Sequence, residues 1–233
     1  MNIGQCLLSF IPVRAEASDR SELVTQLIYG ETYAVLETFD KWLKIEIHGD
    51  NYVGYIDKKQ FNEKVFSTSE AAVNTQFPRL IQSSSRTVYA PIGAYIQETP
   101  KPNLHLNDAI ERLKSFLGAP YVWGGKTNFG YDCSGFTQIF YRLLGVSLLR
   151  DAYQQATQGA TIHLLDEAVT GDLAFFDNAD GKITHVGIVL KSAETFEIFH
   201  SSGELRIDQL DHQGIYKKNE GYSHNLRLIQ RVL

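Results

Sequence analysis

The chain has 233 residues, 43% of them hydrophobic and 21% charged, with a formal net charge of −5. That length supports one large domain or two small ones with a proper core. The acidic balance and the lack of any basic cluster exclude a general nucleic-acid binder, and no apolar run approaches the roughly 18 residues of a membrane span.

Residues 1–18 carry no basic segment, and the apolar stretch at 7–13 is short and interrupted, so the sequence predicts no secretory leader and a cytoplasmic location. The two cysteines, Cys6 and Cys133, have no disulfide spacing signature, and free thiols suit a reducing compartment. Short β-patterned runs follow: Thr32–Thr38; residues 42–48, where Trp42, Lys44 and Glu46 alternate with Leu43, Ile45 and Ile47; and residues 52–56 after the turn Gly49-Asp50-Asn51. Strands at this spacing predict a small barrel. The segments Pro12-Val13-Arg14-Ala15-Glu16, Gly30-Glu31, Trp42-Leu43-Lys44-Ile45 and Gly54-Tyr55-Ile56 resemble a bacterial SH3-like domain over residues 1–62.

Residues 63–103 hold four of the six prolines, Pro78, Pro91, Pro100 and Pro102, which mark a linker with edges and turns. The strand-like stretch 87–97 either completes the barrel or forms a small one of its own. From residue 104 to the C-terminus the pattern is that of an α+β domain, helices first and antiparallel sheet afterwards. Leu106, Ala109, Ile110, Leu113 and Leu117 fall at helical spacing, with Asn107 or Asp108 as cap and Gly118 as stop.

After Asp132, the residues Phe136, Ile139, Phe140, Leu143 and Leu144 repeat as one buried helical stripe, and Gly145 is placed to end it. Asp132 is the candidate N-cap, which puts Cys133 in the first turn. Unpaired amides and the positive end of the helix dipole there favour a thiolate. A buried structural cysteine is the plain alternative, but Cys133 precedes the stripe and lies among small and polar neighbours.

Two β-rich runs, 183–190 and 195–200, flank the turn Lys191-Ser192-Ala193-Glu194. A hairpin centred between Ser192 and Ala193 predicts His185 directly opposite His200, about 4.5–5.5 Å apart at Cβ. Both then share a face with Gly187, Val189, Phe196 and Ile198, away from Val186, Ile188, Glu197 and Phe199. One imidazole can serve as base for a thiol while the other orients it. His48, His105, His163, His212 and His224 read as loop, turn or surface residues. A zinc site of Cys133, His185 and His200 matches by residue type only, because no motif has metal-ligand spacing. No metal or cofactor is expected.

Tyr121-Val122-Trp123-Gly124-Gly125, Tyr131-Asp132-Cys133-Ser134-Gly135-Phe136, Gly171-Asp172-Leu173-Ala174-Phe175-Phe176, Thr184-His185-Val186-Gly187-Ile188 and Phe199-His200-Ser201-Ser202-Gly203 together resemble the NlpC-like family of papain-fold cysteine peptidases, over residues 104–233. The resemblance implies Cys133 as nucleophile, His185 as general base, His200 as the residue orienting it, and peptidoglycan stem peptides as substrates. An SH3-like domain ahead of such a domain, with Leu149-Arg150-Asp151-Ala152-Tyr153-Gln154-Gln155, is similar to the γ-D-glutamyl-L-diamino acid endopeptidases of murein-peptide recycling, although Leu149 stands where they have Pro. That subgroup implies a small peptide with a free N-terminal L-Ala, its ammonium group met by Asp132, Ser134, Tyr52 and Glu16, with Arg150 and Asp151 as additions. Two other readings stay open: a thiol amidase or acyltransferase on another cell-wall substrate, and a wall-binding module with an incidental thiol.

Overall fold

A computed structural model of the chain describes residues 2–76, 79–82, 86–193 and 195–233; Pro78 and Glu194, read above as linker and turn positions, lie outside them. Six antiparallel strands, β1 (Ile3–Gln5), β2 (Phe10–Arg14), β3 (Leu23–Ile28), β4 (Thr32–Thr38), β5 (Trp42–Ile47) and β6 (Val53–Asp57), form one sheet in the order β1-β4-β5-β6-β2-β3. The alternation read at 42–47 is what curls it: Leu43, Ile45 and Ile47 point inward onto Ile11, Val13, Leu27 and Ile56. The next segment adds no strand to this sheet. Its strands β7 (Ala72–Val73) and β10 (Tyr95–Ile96) pair with each other, as do β8 (Arg79–Gln82) and β9 (Thr87–Ala90). They share a small core with Tyr29 of the barrel.

Helix α1 (Leu106–Lys114) buries Ala109, Ile110 and Leu113, as its spacing requires. His105 rather than Asn107 or Asp108 stands at its cap, and no side chain caps it, so both polar residues fall in the first turn. Leu117 lies past the helix end and is exposed. After a short hairpin, β11 (Lys126–Thr127) and β12 (Gly130–Tyr131), come α2 (Cys133–Leu143) and α3 (Ala152–Gln155). Seven strands complete the fold: β13 (Ala160–Ile162), β14 (Leu173–Asp177), β15 (Ile183–Lys191), β16 (Phe196–Ser202), β17 (Glu204–Leu210), β18 (Gly214–Lys217) and β19 (Gly221–Arg231). Their order is β13-β19-β14-β15-β16-β17-β18, and β18 also pairs with β19, so six of them close into a barrel.

The barrel interior holds an apolar cluster of Ala174, Phe176, Val189, Ile198, Leu210, Ile215 and Ile229. Its outer face, through Val186, Ile188 and Phe199, receives Phe136, Ile139 and Phe140 of α2; the Phe136 and Phe199 rings meet edge-on at 4.7 Å. Helix α2 is buried far beyond that single stripe. Its polar side is covered by the N-terminal barrel, where Gln138 Nε2 donates to Asp50 Oδ2 at 2.9 Å.

The two halves are locked by a buried ion cluster. Glu31 receives Lys126 Nζ at 2.9 Å and Arg142 at 2.6 Å. Burial alone would raise the Glu31 carboxyl, but the two cations outweigh it and hold it down at about 2. Breaking a buried pair leaves charge uncompensated. Glu31→Gln, which strands both cations, is expected to cost about 3–5 kcal/mol in urea unfolding; a loss under about 1 kcal/mol, the scale of an exposed pair, would contradict this. Among the described residues no helix is long and apolar enough to cross a membrane.

Candidate active site

Asp132, with φ −88° and ψ 176°, caps α2 by accepting the Gly135 N–H at 2.6 Å. The same carboxylate accepts the Gly124 N–H at 2.8 Å and is ion-paired with the Arg150 guanidinium. Arg150 also donates to Ser134 Oγ at 2.9 Å and, from Nε, to Thr25 Oγ1 of β3 at 2.7 Å. Gly124 has φ +76°, and a Cβ there would sit 2.4 Å from the Leu23 carbonyl oxygen, so only glycine lets this loop lie on the N-terminal barrel. Beside it, Trp123 Nε1 donates to Glu22 Oε1 at 2.5 Å.

Cys133 is buried, and its sulfur lies against the backbone amides of Val186 and Ser134. Val186 follows His185 on β15, so the sulfur meets this strand at the residue next to His185, and no hydrogen bond joins the Cys133 thiol to the His185 ring. Catalytic hydrogen bonds are often long before substrate binds. The expectation of a resting thiolate is corrected. Burial and the neighbouring Asp132 charge push the thiol up to about 12, further than the two amides and Arg150 pull it down.

The histidines meet, but not as directly opposed residues. Strand β15 runs to Lys191, and Ser192 and Thr195 close the turn through their hydroxyls at 2.7 Å. Ile188 therefore opposes Phe199, and Val189 opposes Ile198. This shift in turn centre sets His200 beside Gly187, where a Cβ would come within 2.8 Å of the His200 Cβ. His185 becomes its diagonal neighbour, still on the inward face, with Nε2 2.7 Å from His200 Nδ1.

His200 Nε2 lies 3.0 Å from Asp208 Oδ2, and Arg206 donates to Asp208 Oδ1 at 2.8 Å. Burial raises the Asp208 carboxyl, but hydrogen bonds from His200 and Arg206 more than reverse that. An ionised Asp208 only accepts, which assigns every proton in the row. His200 carries its proton on Nε2 and accepts at Nδ1; His185 carries its own on Nε2 and keeps a lone pair at Nδ1. Burial first, then the electrostatic influence of His200, His224 and Lys217, hold His185 well below the ordinary imidazole range, so it is neutral at pH 7.

A cleft of about 510 Å³ opens at Cys133, lined by Glu22, Tyr52, Tyr121, Trp123, Asp151 and Tyr153 among others. Two larger hollows, about 600 and 780 Å³, contain no cysteine. Tyr52 lines the cleft, its hydroxyl 3.4 Å from Asp151 Oδ1. Glu16 does not line it: Glu16 is exposed at the start of the β2–β3 turn, and Glu22, on the returning side, lines the cleft. A hairpin brings both carboxylates near the same edge, and only the fold chooses between them. Arg150 and Asp132 lie in the wall, but each is committed to the other.

Asp151 is different. It is half-buried, its carboxyl raised mainly by that burial, and among the described residues it has no cation within ion-pair distance. Sequence reasoning missed Asp208, and its reading of His224 as a loop, turn or surface residue is corrected: His224 lies on β19 with its ring against His185. Cys133, His185 and His200 do not form a metal cage, because both His200 nitrogens are engaged by His185 and Asp208.

Residues 118–224 match a family model described as NlpC/P60 family, and residues 13–61 one described as a bacterial dipeptidyl-peptidase Sh3 domain. The chain is similar to a gamma-D-glutamyl-L-lysine dipeptidyl-peptidase of Bacillus cereus, 25% identical over 88% of this chain and 75% of that protein. The probable endopeptidase NlpC of Escherichia coli is 36% identical over 49% of this chain and 79% of its own length. In fold, a crystal structure of an NlpC/P60 family protein from Bacillus cereus superposes with a TM-score of 0.78 at 18% identity, covering 99% of both chains.

A neutral resting thiol has a measurable consequence. Alkylation of Cys133 by iodoacetamide should rise about tenfold per pH unit from roughly pH 6 to 9, as the thiolate fraction does below its pKa. A plateau across neutral pH would mean a preformed thiolate–imidazolium pair and contradict the assignment.

Proposed function

Because the chain belongs to the NlpC/P60 family of cysteine peptidases, we propose that it hydrolyses the γ-D-glutamyl-L-diamino acid bond of peptidoglycan-derived peptides that begin with a free L-Ala amine. The observation that carries this is Asp151, a half-buried carboxyl in the cleft that has no ion-pair partner among the described residues, Arg150 acting on it only from beyond ion-pair distance. A substrate ammonium seated there would gain a charge-assisted hydrogen bond, with the Tyr52 hydroxyl and Glu22 close by. Lysine is the diamino acid in the name of the Bacillus cereus relative, which makes it the first to assay. The two free thiols, Cys6 and Cys133, support a reducing, cytoplasmic setting and hence peptide recycling.

The chemistry follows from the proton assignments. His185 Nδ1 takes the Cys133 proton as the sulfur attacks the γ-glutamyl carbonyl carbon. Amides at the start of α2 hold the oxyanion while charge develops on it. His200, with its Nδ1 turned to His185 by Asp208, supports the imidazolium that forms. The carbon–nitrogen bond breaks as His185 returns the proton to the leaving amine. Water, deprotonated by the same nitrogen, then hydrolyses the thioester.

N-acetylation would remove the positive charge that offsets the burial of Asp151 and leave that carboxylate with only the Tyr52 and Tyr153 hydroxyls as side-chain partners. Free L-Ala-γ-D-Glu-L-Lys should exceed its N-acetyl form in kcat/KM by roughly 30-fold or more, the low end for losing one side of a buried charge pair. Cys133→Ala should release no lysine. Equal turnover of the two peptides would remove the amine-recognition reading, and undiminished turnover by Cys133→Ala would remove the mechanism.

A further inference from the structure

We propose that His224 is a positioning residue for the reaction: its ring, laid flat on His185, fixes the plane in which the base presents Nδ1 to Cys133 and keeps water from the His185–His200 hydrogen bond. The inference rests on His185 being the base. His185 is tethered by one hydrogen bond, which leaves the ring free to tilt about that axis. Three neighbours close off the tilt. His224 covers one face, with centroids 4.3 Å apart and planes 29° from parallel. His200 meets the ring edge-on at 82°, and Phe176 packs against it at 5.8 Å.

His224 is itself held. It comes from β19, on the far side of β14 from β15, and its Nδ1 lies 2.9 Å from Ser223 Oγ. Its backbone is pinned by β18, whose Gly214 (φ +146°) comes so near that a Cβ there would be 1.8 Å from the His224 carbonyl oxygen. The stack is therefore a product of barrel closure and has no trace in the local sequence.

Its charge state suits the task. The groups facing it are His185 on β15, His200 on β16, Asp208 on β17 and Lys217 on β18. Burial first, then His200 and Lys217, push His224 down to about 4, against the opposing pull of Asp208. When His185 takes the thiol proton, it does so against a neutral aromatic face, which attracts a cation. A protonated neighbour would repel it.

The test compares wild type, His224→Ala and His224→Phe on L-Ala-γ-D-Glu-L-Lys, with Cys133→Ala as blank and thermal melting to confirm folding. His224→Ala should lower kcat about tenfold or more, the scale of a displaced catalytic group, with KM within about twofold. Its acid limb should move up toward the free imidazole value as water reaches His185. His224→Phe keeps a flat, dry cover and should restore kcat to within about threefold and return the limb. If the alanine variant does not fold, His224→Leu, bulky but without a flat face, takes its place. Wild-type kcat and acid limb in the alanine or leucine variant, or no recovery in a folded phenylalanine variant, overturn the proposal. Wild type no better than Cys133→Ala overturns the His185 reading beneath it.

Discussion

The carboxylate of Asp132 is the point on which the site depends. It fixes the first turn of α2, and so the direction of Cys133, through the Gly135 amide. It anchors the Gly124 loop, and through that the Trp123 side of the cleft. Its third partner, Arg150, reaches across to Thr25. One buried anion thus ties together helix, loop and a strand of the other domain. A carboxylate so placed is tolerable only with all of these partners present. The N-terminal barrel is accordingly part of the scaffold that holds the start of α2, and the buried Glu31 cluster behind α2 adds a second set of ionic contacts between the two halves.

The second constraint is closure of the C-terminal barrel. Once β18 joins β19, side chains from β15, β16, β17 and β19 are forced together at one place, and those side chains are three histidines and Asp208. Burial there keeps the imidazoles neutral, and burial of Cys133 keeps the sulfur protonated. The resting site holds a protonated thiol and a neutral imidazole. A thiol kept from ionising is also poorly nucleophilic toward adventitious electrophiles.

What the sequence revealed divides along the range of the forces involved. The stripe Phe136, Ile139, Phe140 and Leu143, the Asp132 cap and the Gly145 stop were all legible, because helix periodicity and capping are local. The strand alternation at 42–47 was legible for the same reason. The inward face shared by His185 and His200 followed from the two-residue period, but the register did not, since hydroxyls of Ser192 and Thr195 choose the turn centre. Asn107 and Asp108 were plausible caps by type, yet α1 begins at Leu106 with His105 at its cap and no side chain capping it. Glu22 in place of Glu16, the flat contact of His224 and the relay through Asp208 all depend on chain segments meeting across a sheet or between domains. No window of sequence contains that information.

The most direct test is rapid-quench mass spectrometry of the enzyme during turnover of L-Ala-γ-D-Glu-L-Lys. Attack by the Cys133 sulfur predicts a transient alanyl-glutamyl thioester on the peptide carrying Cys133, formed as lysine is released and lost on hydrolysis. Lysine release with no adduct under acid quench, or an adduct on Cys6 instead, would contradict it.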